Sequence, residues 1–116
     1  MKLVNGGIYI AALNPAKQGE IGKVRPVAVI MSDIMLSYEP DLVFVCPISS
    51  QSKSAYSPLH IPLRTRGKLE SDSFLLIEHF KSIATHRIRS ESIGNLTQHE
   101  ITKVQHMLID LVGIEL

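Results

Sequence analysis

The residues best suited to chemistry are an arginine, two adjacent serines and two glutamates, each near a predicted strand end. Arg25 stands where a glycine-punctuated loop passes into a strand, and Ser49 and Ser50 close another strand. Glu20 lies in the loop before Arg25, and Glu78 follows an apolar row. These are the parts of a phosphodiester site. Metal-free cleavage of RNA, for example, needs a base for the ribose 2′-hydroxyl, donors for the charge on phosphorus and an acid for the leaving oxygen.

Each candidate residue suits one of these roles. Arg25 could stabilise the charge on phosphorus and protonate the leaving oxygen, because a planar guanidinium matches two phosphate oxygens at once. The hydroxyls of Ser49 and Ser50 can donate to a phosphate oxygen. Glu78 could act as the base if its apolar neighbours desolvate the carboxylate, and Glu20 could orient Arg25.

The same residues also have ordinary structural explanations. Arg25 could form a surface ion pair with Glu20 or Glu78. Serines at a strand end are frequently turn residues. His79, on the face opposite Glu78, is expected to be a core or interface residue and not a base.

Other site chemistries find no support in the spacing of the residues. The histidines lie too far apart, or on elements that face different ways, to share one metal ion, so we predict no metal site. Neither GxxxxGK[ST] nor GxGxxG occurs, and the lone cysteine, Cys46, is expected in the core. Nucleotide hydrolysis and thiol catalysis are therefore not expected. The five histidines are His60, His79, His86, His99 and His106.

The composition predicts one soluble, cytoplasmic domain that covers residues 1–116. Apolar residues make up 45% and charged residues 20%, as in ordinary globular proteins. The longest apolar runs are far below the ~20 residues that span a bilayer, and a single cysteine suits a reducing compartment. The formal net charge of +1 does not by itself indicate a nucleic-acid partner. Basic residues do cluster beside turns, at Lys17/Lys23/Arg25, Arg64/Arg66/Lys68 and Lys81/Arg87/Arg89.

The elements that must position these residues are mostly short strands. Segment 42–48 is apolar on both alternating faces, so we predict a central strand or a subunit interface. Two prolines on one face of 58–64 predict an edge strand, and Pro26 predicts a bulge or an edge at its end of the second strand. Segment 33–41 is predicted as a loop with one helical turn. The predicted strands are 7–13, 24–32, 42–50, 58–64, 73–80 and 82–88.

One amphipathic helix is predicted to close the chain. Thr97 and Glu100 form the T-x-x-E capping box, apolar residues follow at helical spacing, and Gly113 supplies a stop. Five or six strands in antiparallel hairpins with one terminal helix predict an α+β fold, a small barrel or half-barrel packed on the helix.

Read together, these segments resemble the MazF/PemK/Kid toxins of type II toxin–antitoxin systems. The resemblance rests on GIYIAALNP, GEIGKVRPVAVI, PISSQSK, DSFLLIEHFKSI with HRI, and the capped terminal helix, and it spans nearly the whole chain in order. It implies a strongly twisted antiparallel β-barrel of the SH3-like, CcdB/PemK type and a homodimer. It also implies metal-independent cleavage of single-stranded mRNA to 2′,3′-cyclic phosphate and 5′-hydroxyl ends, with no cofactor.

The resemblance also implies roles for individual residues. The arginine before the family's proline falls on Arg25, and the family's catalytic threonine falls on Ser49. With Glu20 and Glu78, these are the predicted catalytic residues. The basic, polar and aromatic residues expected to bind RNA are Lys23, Ser50, Gln51, Lys53, Tyr56, Arg64, Arg66, Lys81 and Arg87.

The chain departs from the family pattern in three places. Where many relatives have a glutamine after the acid, this chain has His79. Kid-like members carry an arginine two residues before that acid, and Leu76 stands here instead. In the glycine loop, Ile21 replaces a residue that is often polar. If the chain is an active nuclease, Arg25 must supply most of the positive charge that stabilises the reacting phosphate.

The expected protein partner is a small antitoxin, whose disordered acidic segment would lie over the RNA groove and the dimer interface and bind the loops at 64–68 and near Arg25. Two alternatives remain from the sequence. One is a catalytically silent family member that only binds RNA or antitoxin. The other is a gyrase inhibitor like CcdB, which the absence of tryptophan disfavours.

Overall fold

The computed structural model describes residues 2–15, 17–19, 22–51 and 57–113. Within these residues the chain forms seven strands, two α-helices and two 3-10 turns. In chain order the elements are β1 (Gly7–Ala12), β2 (Val24–Val29), α1 (Asp33–Leu36), β3 (Leu42–Ser49), β4 (His60–Leu63), β5 (Ser73–Leu76), a 3-10 turn (Ile77–His79), β6 (Lys81–Ala84), a 3-10 turn (Thr85–Arg87), β7 (Gly94–Asn95) and α2 (Gln98–Val112).

The sheet is organised around β3, which pairs with three other strands. The hydrogen-bonded order is β4-β5-β3-β2-β1-β7, with β6 also paired to β3, and every pairing is antiparallel. Val45 pairs with Val29 of β2 and with Lys81 of β6, so these two strands flank β3 on opposite sides. The predicted central position of segment 42–48 is confirmed.

The segment from β5 to β6 runs along one side of β3, interrupted by a 3-10 turn. Ile48 pairs with Leu75 and Val45 with Lys81, so three steps along β3 correspond to six along the partner segment. The excess residues form the turn Ile77–His79, which bends the sheet. The sheet therefore curls into a half-barrel, and the predicted α+β architecture is confirmed.

Three predicted strands were too long: the strand expected over 24–32 ends at Val29, and each of the last two ends at a 3-10 turn. The strand expected over 73–80 ends at Leu76, and the one expected over 82–88 is β6, which ends at Ala84. A second 3-10 turn, Thr85–Arg87, follows it. The two-residue strand β7 was not predicted. By contrast, β4 lies at the edge of the sheet as expected, and α1 is the single helical turn expected within 33–41.

Side-chain alternation gives the sheet two apolar faces, each with its own core. Fully buried residues such as Ile8, Cys46 and Leu75 face α2, whose Ile101 and Val104 cover them. Burying such an aliphatic side chain contributes roughly 1.5–3 kcal/mol. The opposite face packs its own cluster of Tyr9, Val27, Val29, Val43, Val45, Ile83 and Ile88.

The terminal helix begins and ends where the sequence predicts. Thr97 Oγ accepts from the Glu100 N–H at 3.1 Å, and the Glu100 carboxylate accepts from the Thr97 N–H at 2.8 Å, so the capping box is formed. The N–H of Gly113, at φ 88°, donates to the Ile109 carbonyl. In the described part of the chain, no helix combines the length and apolarity that crossing a membrane requires.

Candidate active site

Arg25 lies on β2, next to the loop that precedes it. It pairs with Ala11 of β1, its Nε donates to the Gly22 carbonyl at 2.9 Å, and its side chain is half-buried. Burial lowers the pKa of Arg25 from its usual value, but an arginine remains charged at neutral pH. Among the described residues Arg25 has no ion-pair partner. The interpretation in which Glu78 pairs with Arg25 is therefore wrong.

Ser49 ends β3 and lines the same cleft as Arg25. The β2–β3 ladder ends at the pair Val27–Pro47, and Arg25 and Ser49 each lie two residues beyond it on their own strand. Ser49 is only 8% exposed, and its Oγ accepts from the Gln51 N–H at 3.2 Å. The hydroxyl hydrogen remains available to donate. Ser49 can therefore accept this hydrogen bond as a turn residue and also donate its hydroxyl hydrogen to a phosphate.

A cleft of about 390 Å³ joins the ends of β2 and β3 to the segment before β5. Four predicted site residues line it: Arg25, Ser49, Ser50 and Gln51. Buried apolar residues, Ile48 and Leu69, also line the cleft, and low-dielectric surroundings of this kind strengthen the interaction between an arginine and an anion. The cleft is also lined by polar and apolar residues that the sequence did not assign to the site, namely Lys68, Glu70, Ser71, Ser73, Ile10, Pro26, Ile48, Leu69 and Ile93.

Glu78 lies outside this cleft, in the 3-10 turn after β5. Its two carboxylate oxygens lie 2.8 and 2.9 Å from Nε2 of His60, and one lies 3.9 Å from Nε2 of His79. The carboxylate is exposed, because the strand ends at Leu76 and the chain turns outward. The desolvated setting expected for Glu78 is therefore wrong. His79 is half-buried in the same turn, with its ring near the Glu78 carboxylate, so its predicted placement on the face opposite Glu78 is wrong.

Two of the predicted RNA-binding arginines are held by other parts of the protein. The Arg66 guanidinium pairs with both carboxylate oxygens of Glu100 and also reaches the Asn95 carbonyl at 3.3 Å. Arg87 donates to the carbonyls of Ala12 and Asn14 at the end of β1. These contacts give both arginines a structural role.

The remaining predicted residues are dispersed. Lys23 and Arg64 are exposed, and Lys81 is half-buried on β6. Glu20, Lys53 and Tyr56 lie outside the described residues. A larger pocket of about 790 Å³ opens beside α1 and contains none of the predicted site residues.

The family model described as PemK-like, MazF-like toxin of type II toxin–antitoxin system matches residues 5–112. The chain belongs to this family. Among its curated relatives is the protein named Endoribonuclease MazF of Staphylococcus saprophyticus, which is 27% identical over 110 residues, 94% of this chain and 90% of the relative. The family resemblance noted in the sequence is confirmed.

Solved structures of family members have the same fold. MazF from Deinococcus radiodurans matches with a TM-score of 0.83 at 20% identity, over 98% of this chain and 99% of the other. A MazE-MazF structure from the same organism matches with a TM-score of 0.77 at 20% identity, over 99% of each chain. At this identity the likeness establishes the architecture.

Within this family member, the cleft includes charged residues that motif analysis missed. Lys68 belongs to a basic cluster beside a turn, and the sequence assigned it only to the antitoxin-binding loop at 64–68. Glu70 belongs to no motif, so only its position beside a turn of basic residues could have drawn attention to it. Among the described residues, no group of three or more His, Cys, Asp or Glu side chains is arranged to hold a metal ion.

Proposed function

We propose that this family member is an endoribonuclease toxin that cleaves single-stranded RNA without a metal ion. The observation that carries the proposal is the meeting of Arg25 and Ser49 in one cleft, where the guanidinium has no ion-pair partner among the described residues. The name of the curated relative, Endoribonuclease MazF, supports the same activity. An arginine that has no ion pair within the described residues and lies beside apolar lining residues is well suited to bind a phosphate.

In the proposed reaction the ribose 2′-oxygen attacks the adjacent phosphorus while a base removes its proton. The bond from phosphorus to the 5′-oxygen breaks, and that oxygen takes a proton. The products are a 2′,3′-cyclic phosphate and a 5′-hydroxyl. Arg25 stabilises the added negative charge on the phosphoryl oxygens and can supply the proton to the leaving oxygen, while Ser49 and Ser50 donate hydrogen bonds that hold the phosphate.

The base is proposed from the sequence to be Glu20 or Glu78. Glu78 lies outside the cleft and is engaged by His60, which favours Glu20, the carboxylate two residues before Gly22 in the chain. Leu76 stands where some relatives have an arginine, and Arg25 is the only arginine among the described residues that line the cleft. We therefore expect the rate of RNA cleavage to depend strongly on the glycine loop, whose Gly22 carbonyl accepts the hydrogen bond from Arg25 Nε.

The proposed assembly is a cytoplasmic homodimer that an antitoxin inhibits. Leu42 and Phe44 on β3 are 56% and 44% exposed, which is unusual for large apolar side chains on a central strand and suits a subunit interface. The MazE-MazF structure among the relatives supports an antitoxin partner. If an antitoxin inhibited the protein without competing with RNA, its proposed placement over the cleft would be wrong.

The activity is tested with purified protein and a long single-stranded RNA in excess EDTA. Fragments should appear whose 5′ ends accept phosphate from a polynucleotide kinase without prior dephosphorylation, and whose 3′ ends carry a cyclic phosphate. Intact RNA would contradict the nuclease and indicate the catalytically silent alternative. Fragments with 5′-phosphates would contradict attack by the 2′-hydroxyl.

A further inference from the structure

We propose that Lys68 is a second phosphate-binding residue of the cleft, which contacts an RNA phosphate other than the one Arg25 holds. The inference rests on the proposed RNA-cleaving function and assigns part of its substrate binding. Three features of the structure support it: the position of Lys68 in the cleft, the rigid hairpin that carries it and the charge balance of the lining.

The hairpin is a two-residue turn closed by Arg66 and Leu69. The Arg66 N–H donates to the Leu69 carbonyl at 3.1 Å, and the Leu69 N–H donates to the Arg66 carbonyl at 2.8 Å. Gly67, at φ 51°, occupies the first central position, where a type II′ turn needs glycine. A Cβ there would lie 2.5 Å from the Ile93 carbonyl oxygen, so the turn fits closely against its neighbour.

The hairpin is fixed to the rest of the fold by contacts on both sides of Lys68. The backbone N–H of Lys68 donates to the Ile93 carbonyl at 2.7 Å. Arg66 is paired with Glu100 at the start of α2, and Leu69 is only 6% exposed in the core. These contacts fix the backbone at Lys68. Less conformational entropy is therefore lost when its side chain binds an anion.

The side chain of Lys68 is free to bind an anion. It is exposed and has no ion pair in the described part of the chain. Because Leu69 points into the core, Lys68 and Glu70 on either side of it both face outward, and both line the cleft.

The charge of the cleft depends on this lysine. Among the described lining residues, Arg25 and Lys68 contribute two positive charges and Glu70 one negative charge, a sum of +1. Without Lys68 this sum would be zero, and Glu70 would repel an approaching phosphate chain. Since Leu76 stands where some relatives have an arginine, Lys68 supplies a cation from a different part of the fold.

Binding of a mixed-sequence, 2′-O-methylated single-stranded RNA, measured by fluorescence anisotropy over a series of salt concentrations, tests the inference. This probe lacks the attacking hydroxyl, so binding is measured without cleavage. Losing one phosphate contact should reduce the salt slope of log K by about 0.7 and weaken binding roughly fivefold near ~0.1 M salt. Lys68→Ala should show both changes, and Lys68→Arg should retain the wild-type slope.

Lys103→Ala is the matched control, because Lys103 is an exposed lysine on α2 outside the cleft. If Lys68→Ala behaved like Lys103→Ala while the parent cleaved RNA, the inference would fail and the proposed function would stand. If the parent neither bound nor cleaved RNA, both would fail. A polyglutamate peptide, which mimics an acidic protein segment, is the second ligand measured. If Lys68→Ala bound this peptide more weakly but bound RNA as the parent does, Lys68 would belong to a protein-binding surface and the inference would be overturned.

Discussion

The ion pair between Arg66 and Glu100 links the hairpin of the cleft to the start of the terminal helix, and Glu100→Gln isolates its charge. A glutamine can still accept the hydrogen bond from the Thr97 N–H, so the capping box is kept. The substitution leaves the guanidinium of Arg66, which is 18% exposed, without its carboxylate partner. Any loss of stability then reports the ion pair and not the helix cap.

The loss of stability expected for Glu100→Gln lies between the values typical of exposed and of buried ion pairs. Exposed pairs contribute about 0–1 kcal/mol, whereas breaking a fully buried pair costs about 3–5 kcal/mol. The Glu100 side chain is 14% exposed, and the pair is bidentate. We therefore expect Glu100→Gln to lower the free energy of unfolding by roughly 2 kcal/mol, which corresponds to a fall in Tm of about 8 °C for a domain of this size.

The pH dependence gives an independent check by thermal unfolding. Burial alone would raise the pKa of Glu100, but hydrogen bonds from Arg66 and Thr97 and the charge of Arg66 lower it. Because the folded-state pKa lies below the unfolded one, of about 4.3, the stabilisation is present above that value and disappears as the pH falls through the folded-state pKa. The parent and Glu100→Gln should therefore differ near pH 7 and converge in strong acid.

Glu91→Gln is the control for this experiment, since Glu91 is exposed and its side chain makes no hydrogen bond or ion pair in the described part of the chain. Its effect should stay within about 0.5 kcal/mol. Equal melting of Glu100→Gln and Glu91→Gln at neutral pH would refute the reasoning. A difference between the parent and Glu100→Gln that persisted in strong acid would refute it as well.

Three further predictions follow from single positions. Ser49→Ala should lower the rate of RNA cleavage roughly 100-fold, as loss of a preorganised donor does, and Ser49→Thr should restore it; a rate equal to that of the parent would contradict the role of this hydroxyl. Gly67→Ala should lower Tm more than Gly19→Ala, because both glycines have positive φ but only at Gly67 does a Cβ meet backbone, whereas Gly19 faces open space; equal losses would contradict the close fit of the hairpin. Burial raises the pKa of the Cys46 thiol to about 12, so a thiol reagent at pH 8 should modify Cys46 only after unfolding; rapid labelling of the native protein would contradict its burial.

The elements that could be predicted from the sequence are those with local causes. The terminal helix is specified by its capping box, its apolar spacing and Gly113, all within one segment. The edge position of β4 follows from two prolines that cannot donate to a ladder. Arg25 and Ser49 were both selected because they stand at element ends, and the structure places both in one cleft.

The features that were missed have non-local causes. The 3-10 turn at Ile77–His79 arises because β5 and β6 pair with different parts of β3, and this register cannot be seen in the apolar pattern. The same turn removes Glu78 from the cleft. Lys68 reaches the cleft because its hairpin is held by Glu100 and Ile93, which are distant along the chain.

Stabilisation of the reacting phosphate by the Arg25 cation is tested most directly by the rate of RNA cleavage in excess EDTA. Arg25→Ala should cleave at least about 100-fold more slowly than the parent. Arg25→Lys should recover only part of the loss, because an ammonium group cannot bind two phosphate oxygens as a planar fork does. Arg89→Ala, at an exposed arginine outside the cleft, should cleave at the parent rate. Cleavage by Arg25→Ala at the parent rate would contradict the account.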